Sequence, residues 1–286
     1  MKYTPLLAAT TLACTISNFA VAQDAVAEFY GFALDPSGAI DDGVSCGAGA
    51  REFCGDVIGW GGYAGITLDG PAGGSVYADL RFEIHDETNS VEALGDEHGR
   101  FISLGLHWID ETNPSRPWGV FGVLAGGTPN ASISSFGPTL GLGAEIELGG
   151  YQVQGGALVF AGESTDDVLS DLLFLGVGRE YDLGTGVLDW GLMLGTGDFN
   201  NSGPTKDGDW VQFEVTYRHR LGTGPYSILA GYQYDFIDVP DPVIPNEAGF
   251  HTVKLGISRT FGGGKGRFET PNFRAPLTTA GDLNGI

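Results

Sequence analysis

Period-two alternation of apolar and polar side chains restricts the fold of this chain more than any other feature of its sequence. Between residues 76 and 84 every second side chain is apolar, whereas Asp79, Arg81 and Glu83 carry charge at intervening positions. Similar alternation covers 139–148, 211–218 and 253–258. Because successive side chains of a strand point to opposite faces of a sheet, each segment predicts a strand with one apolar and one polar face.

A membrane-spanning helix is excluded, since no segment after residue 22 offers the roughly 20 consecutive apolar residues that such a helix needs. The 48 glycines, spread over the whole chain, also disfavour long helices, where each glycine costs about 1 kcal/mol relative to alanine. A hydrophobic content of 42% is too high for a disordered chain. An all-β fold remains.

Less regular segments complete a predicted set of twelve strands: 25–34, 56–69, 99–110, 117–126, 151–162, 168–182, 187–197 and 225–236. The connections alternate between brief and extended along the chain. Brief ones are predicted at 70–74, 111–116, 149–150, 183–186 and 221–224, and extended ones near 35–55, 86–98, 127–136, 163–167, 198–208 and 237–249. Such sorting is typical of a transmembrane antiparallel up-and-down β-barrel, whose tight turns face the periplasm and whose longer loops face outward.

Tryptophan placement supports the same fold, because Trp and Tyr prefer the two membrane–water boundaries. All five Trp lie near predicted strand ends, and Trp108 and Trp118 flank one brief connection. With an even strand count, the last strand, which ends at Phe261, returns to the side on which the first begins. The predicted fold class is therefore all-β, a closed transmembrane barrel of about 12 strands.

Both ends of the chain are predicted to lie beyond the barrel wall. Lys2, the apolar run 5–13 and the small residues 20–22 form an export signal, cleaved after Ala22, with lipidation at Cys14 as the alternative. The barrel is assigned to 23–261 and a tail, periplasmic or inserted into the lumen, to 262–286. Loss of Lys2 leaves 13 basic against 36 acidic residues, a net charge of −23, which disfavours nucleic acid as a partner.

The alternating strands, the sorted loops, the export signal and the terminal Phe261 together resemble Gram-negative outer-membrane β-barrel proteins, porins and porin-like channels in particular. The resemblance covers residues 24–261 and is architectural, without a diagnostic motif. It implies an outer-membrane location, contact with membrane lipid and lipopolysaccharide, and passage of small solutes, and it leaves the oligomeric state open. Residues 262–286 depart from the pattern, because such barrels usually end at the aromatic residue.

If lipid meets the apolar faces, the polar faces line the lumen. This predicts a set of pore-lining residues: Asp79, Arg81, Glu83, His85, Glu145, Glu147, Glu214, Arg218 and Lys254. Acid exceeds base in this set, which predicts a mild cation preference; alternatively, these groups pair with one another across a closed, packed interior. Inward glycines such as Gly105 either leave room for water, a solute or a folded-in segment, or permit sharp bending of the strands.

Two loop regions predict further sites. Cys46 and Cys54 are expected to form a disulfide in an oxidising compartment, with two free thiols as the alternative. A calcium loop is predicted from spacing at Asp198, Asn200, Ser202 and Asp209. Strands and not helices flank this loop, so an ordinary polar loop is the alternative, and no other cofactor is expected. The acidic loops as a group would hold divalent ions that bridge to lipopolysaccharide phosphates.

The predicted function is a porin-like channel for passive diffusion of small hydrophilic solutes, not an enzyme. A non-conducting barrel for surface contact or envelope stability is the first alternative. The second is an outer-membrane lipid acyl hydrolase or transferase, for which Ser103 and His107 share an inner face. Four residues along a strand separate the two by about 13 Å, which excludes a direct hydrogen bond, so another serine would have to approach His107.

Overall fold

A computed structural model of the chain describes residues 24–38, 57–87, 98–128, 136–160, 169–199, 206–239, 246–262 and 269–273. Over these residues the chain forms twelve strands in one closed barrel, which confirms the predicted fold class. The strands are β1 (Asp24–Gly38), β2 (Val57–Asp69), β3 (Ser75–Glu87), β4 (His98–Asp110), β5 (Trp118–Thr128), β6 (Phe136–Leu148), β7 (Tyr151–Phe160), β8 (Leu169–Asp182), β9 (Gly186–Phe199), β10 (Lys206–Arg220), β11 (Tyr226–Val239) and β12 (Asn246–Gly262). None of the described residues forms a helix long and apolar enough to cross a membrane.

The barrel closes because every strand pairs antiparallel with its neighbours along the chain, and β12 pairs with β1. Ala25 lies opposite Phe261 and Phe29 opposite Ile257 in this closing pair. Closure leaves no open edge among the described strands, so the backbone N–H and C=O groups of the wall bond within the sheet. In lipid, each such group left without a partner would cost several kcal/mol.

Short connections gather at one end of the barrel, here called the short-turn end. They span 70–74, 111–117, 149–150, 183–185 and 221–225. β1 starts and β12 finishes at this end, since Asp24 pairs with Gly262. At the opposite, long-loop end the connecting residues 39–56, 88–97, 129–135, 161–168, 200–205 and 240–245 lie outside the described part of the chain.

The tightest connection has only two residues, Gly149 and Gly150, between β6 and β7. Their φ angles are 62° and 83°, in the left-handed region that residues with a β-carbon adopt at a cost. Positive φ at both central positions matches the right-handed twist of the flanking strands. Backbone geometry therefore favours glycine at both positions of this turn.

Some strands extend further toward the long-loop end than the alternation predicts. Lys206 of β10 pairs with Phe199, and Asn246 of β12 pairs with Val239. The predicted connections 198–208 and 237–249 are therefore too long. Apolar alternation stops at the boundary of the lipid-facing band, whereas ladder hydrogen bonds join backbone groups and do not require apolar side chains.

Large apolar side chains cover the outside of the wall. Leu142 is 75% exposed and Leu255 is 63% exposed, and many other leucines, isoleucines and valines share this face. An apolar surface of this extent indicates contact with membrane. At the short-turn end, Trp108 and Trp118 meet edge to face at 5.7 Å, and the Trp118 indole donates a hydrogen bond to Asp110. Indole rings with one polar contact suit the membrane–water boundary.

Replacing Leu142 with arginine should lower the free energy of unfolding by about 2–4 kcal/mol, because lipid would surround the new charge. Leu142 faces outward near the middle of β6. Urea unfolding in phospholipid vesicles, followed by tryptophan fluorescence, measures the change. Ser115→Arg, in an exposed short turn, is the matched control and should alter stability by less than about 0.5 kcal/mol. Equal effects of the two substitutions would contradict a lipid-facing Leu142.

Candidate functional site

The inner face of the barrel carries most of the polar side chains that the sequence analysis singled out. Those buried or half-buried on this face are Asp79, Arg81, Glu83, Glu145, Glu147, Glu214, Arg218 and Lys254. His85 belongs to β3 opposite Gly59, but its side chain lies outside the described residues. Whether this set lines a conduction path stays a prediction.

Arg218 anchors one group of charges across the lumen. Its Nε donates to Glu28 Oε1 at 2.6 Å, and its guanidinium also pairs with Asp189. Glu28 lies on β1 and Arg218 on β10, so β11 and β12 stand between them in the wall. On the other side of β1, the Tyr30 hydroxyl donates to Glu83 on β3 at 2.8 Å. The Arg218–Glu28 and Tyr30–Glu83 contacts join strands that are not neighbours, which is feasible only across the interior.

A second group of polar side chains surrounds Lys254 and Asp235. Lys254 Nζ lies 3.2 Å from Glu214 and 2.9 Å from Gln233. Asp235 accepts hydrogen bonds from Gln212 at 2.7 Å and from Gln233 at 2.6 Å. Buried charges are stable when they are paired and hydrogen-bonded. This part of the interior therefore forms a connected polar layer.

Residues 269–273, which we call the inserted segment, occupy the lumen inside this layer. Thr270 and Asn272 are each 2% exposed and Phe273 is fully buried. Glu269 lies within 3.6 Å of Arg218 near the short-turn end, whereas Phe273 packs against Trp210, eight residues closer to the long-loop end of β10. The segment thus runs from the short-turn end into the barrel. The remaining residues of the predicted tail lie outside the described part of the chain, except Gly262 in β12.

His107 joins two carboxylates and the inserted segment. Its Nδ1 is 3.0 Å from Glu145, and its Nε2 is 3.2 Å from Asp79 and 3.0 Å from the Thr270 hydroxyl. Both ring nitrogens donate only in the protonated imidazole. A protonated ring between two carboxylates is a structural cation with no lone pair for proton abstraction. Ser103, the partner considered for an acyl hydrolase, is not a hydrogen-bond partner of His107 in the described contacts.

An apolar cluster packs inside the lumen toward the long-loop end. It consists of Phe101, Phe121, Val123, Ala125, Leu158, Leu172, Phe174, Met193, Trp210, Ile237, Phe250 and Phe273. Phe273 comes from the inserted segment, and the wall supplies all the others. Alternation did not predict this cluster, because these wall residues are apolar side chains on faces that the sequence analysis treated as polar.

Inward glycines make room for neighbouring side chains. A β-carbon at Gly65 would overlap the Tyr77 hydroxyl, and one at Gly143 would overlap the Phe121 ring. A β-carbon at Gly105 would overlap Thr270 Oγ1 of the inserted segment. Of the uses considered for these glycines, the folded-in segment is therefore observed at Gly105, and aromatic rings fill the space at the other two positions.

A polar chamber of about 990 Å³ remains at the short-turn end. Its lining includes Gln152, Gln154, Asp189, Glu214 and Arg218. Residues of the inserted segment form its inner limit. The described part of the lumen therefore has three zones: a polar chamber, a hydrogen-bonded polar layer and an apolar cluster.

Most residues of the predicted loop sites lie outside the described part of the chain. Asn200, Ser202, Cys46 and Cys54 lie outside the described residues. Asp198 and Asp209 sit on neighbouring strands near the long-loop end, where Asp198 pairs with Asp207. Among the residues that the structure describes, no group of three or more His, Cys, Asp or Glu side chains is arranged to hold a metal ion.

Several residues of the lumen were missed by sequence reasoning. Asp189 alternates with Leu188 and Trp190, so the same period-two rule could have found it, whereas Glu28 has apolar neighbours on both faces of its strand. Glu269, Thr270 and Phe273 gave no such signal, because they follow the last strand in a segment without periodicity. Their role depends on a contact between distant parts of the chain.

No protein-family model matches the sequence, and no curated protein matches it. Among solved structures, an outer membrane channel from Pseudomonas putida F1 has a TM-score of 0.57 at 13% identity, over 84% of this chain and 96% of that one. The NanC porin (TM-score 0.46, 11% identity, 82% and 98% covered) and the outer membrane phospholipase of Salmonella typhi (0.42, 14%, 81% and 90%) are more distant. The first match shows a shared outer-membrane β-barrel fold, and the other two carry no further argument.

Substituting His107 with leucine should lower the free energy of unfolding by about 3–5 kcal/mol, because Asp79 and Glu145 would lose the cation between them. Urea unfolding in vesicles measures the loss. Part of it should disappear in a Glu145→Gln background, where only one buried carboxylate remains. His219→Leu, at an exposed histidine beside Tyr217, is the control and should have little effect. An equal cost of His107→Leu in both backgrounds would contradict the charge argument.

Proposed function

We propose that this protein is an outer-membrane channel for passive diffusion of small hydrophilic solutes, with a mild preference for cations, and that the described conformation is closed. The observation that carries the proposal is the polar part of the inner face, with its chamber of about 990 Å³ at the short-turn end. A chamber of this size holds water and small solutes. The similar fold of a structure described as an outer membrane channel supports the proposal.

Cation preference follows from the balance of charge on the inner face. The acidic side chains described there include Glu28, Asp79, Glu83, Glu145, Glu147, Asp189, Glu214 and Asp235, and the cationic ones include Arg81, His107, Arg218 and Lys254. The acids outnumber the cations, so a net negative charge remains. A pore lined with excess acid concentrates cations and slows anions.

The outer membrane is the proposed location, with acyl chains against the outward leucines and with the long-loop end at the cell surface. Asp198, Asp207 and Asp209 lie near that end on β9 and β10. Together with the acidic loops, they would hold divalent cations, calcium among them, that bridge to lipopolysaccharide phosphates. Cleavage of the export signal after Ala22 and a Cys46–Cys54 disulfide belong to the same proposal.

A non-conducting barrel for surface contact is the second candidate, favoured by the apolar cluster inside the lumen. Planar-bilayer recording of the full chain separates the two. A channel gives stepwise, cation-biased openings, whereas a barrel that stays silent at every voltage removes the channel proposal. An acyl hydrolase is not favoured, because His107 is fully buried between two carboxylates and no acyl chain could reach it without unpacking the lumen.

Charge substitutions at Gln152, on the chamber wall, test the conduction path. Gln152→Glu should raise the cation-to-anion permeability ratio about twofold and Gln152→Lys should lower it by a similar factor, because only lining charge differs between them. Reversal potentials in a salt gradient measure both. Ser115→Lys adds the same charge in an exposed turn and should leave the ratio unchanged. Identical reversal potentials for the two Gln152 variants would show that the chamber is not on the path.

A further inference from the structure

We propose that the lumen contains a peptide-binding site that the chain fills with its own inserted segment, residues 269–273, and that this contact holds the barrel closed. The ligand is a short peptide of five residues. Its first side chain carries a carboxylate, its second a hydroxyl, its fourth an amide and its fifth an aromatic ring. The binding site is independent of the channel proposal, whereas its effect on current rests on that proposal.

Two arginines contact Glu269, the residue at the first position. Glu269 lies 3.6 Å from Arg218 and 3.9 Å from Arg81. Arg218 is on β10 and Arg81 on β3, so the carboxylate bridges two distant parts of the wall. A guanidinium is the side chain best suited to hold a carboxylate. Two of them at one position favour an acidic residue there.

Asp79 and His107 bind Thr270, the residue at the second position, and Gly105 leaves room for it. The Thr270 hydroxyl and the Thr270 backbone N–H both donate to Asp79 Oδ2, at 2.9 and 3.2 Å. The hydroxyl is also 3.0 Å from His107. Gly105 lacks the β-carbon that would overlap this hydroxyl. Backbone and side chain are thus bound together, as in a docked peptide ligand.

The fourth and fifth positions extend the site toward the apolar cluster. The backbone carbonyl of Asn272 accepts a hydrogen bond from the Gln212 side chain at 2.9 Å, and the side-chain amide of Asn272 donates one to Gln233 Oε1 at 3.1 Å. Phe273 is 5.1 Å from the Phe174 ring and 6.0 Å from the Trp210 ring, and it is fully buried. Burial of a large apolar side chain away from water is stabilising. The aromatic ring is therefore the main apolar anchor.

Ordering five residues costs backbone entropy at each of them, so the segment stays docked only while most of these contacts hold. Loss of one strong contact shifts the population toward the released state. Because the segment is tethered, its effective concentration is of millimolar order. A free peptide must approach that concentration to replace it.

Two substitutions in the full chain test the site. Gly105→Ala places a β-carbon on the Thr270 hydroxyl, and Phe273→Ala removes the anchor without altering any strand. Gly191→Ala is the matched control, because Gly191 also lines the chamber but a β-carbon there meets no atom within 4 Å. Hydrogen exchange of residues 269–273, in nanodiscs, reports docking without any current. We expect exchange to rise about tenfold or more in both test variants and to stay unchanged in Gly191→Ala.

Bilayer recording of the same proteins reports the closure, with higher open probability expected for Gly105→Ala and Phe273→Ala. The capped synthetic peptide Glu-Thr-Pro-Asn-Phe, at millimolar concentration, should reduce the current through Phe273→Ala, and a peptide with alanine for phenylalanine should not. Rapid exchange of the segment in the unsubstituted protein would overturn the binding site. If the variants release the segment but keep the open probability of the unsubstituted protein, the proposed closure is wrong. A third outcome separates the two proposals: the segment exchanges slowly in the unsubstituted protein and quickly in the two test variants, but no protein gives openings. That outcome would support the binding site and reject the channel.

Discussion

Complete pairing of backbone hydrogen bonds in lipid is the constraint on which the rest of this structure depends. A wall of strands is tolerated in hydrocarbon only when its edges meet, and here β1 and β12 close the ring. Closure gives every strand one face toward lipid and one toward the lumen. The alternation of side chains is then converted directly into an apolar exterior and a polar interior.

The described part of the interior is packed like a protein core, but it contains many charged side chains. Arg218 joins Glu28 and Asp189, and His107 joins Asp79 and Glu145. Ion pairs of this kind stabilise only when each partner is present, because a lone buried charge is costly. The acid left over after pairing gives the lumen its sign. Stability and the proposed selectivity therefore depend on the same side chains.

The inserted segment connects the packing of the lumen to its proposed function. It contacts the polar layer through Glu269 and Thr270 and completes the apolar cluster through Phe273. A wall of twelve strands leaves an interior too wide for its own side chains to fill everywhere. A segment of the same chain fills part of this space.

The strand count, the face of each strand and the clustering of short turns at one end followed from the sequence, because period-two alternation and turn residues act over a few positions. Strand ends such as Lys206 and Asn246 did not, because backbone pairing continues where side-chain alternation stops. The places of Glu28 beside Arg218 and of Thr270 beside Asp79 were decided only by the tertiary structure. Those partners lie 190 and 191 residues apart in the chain, and their meeting is set by the width of the closed barrel, which no local pattern encodes.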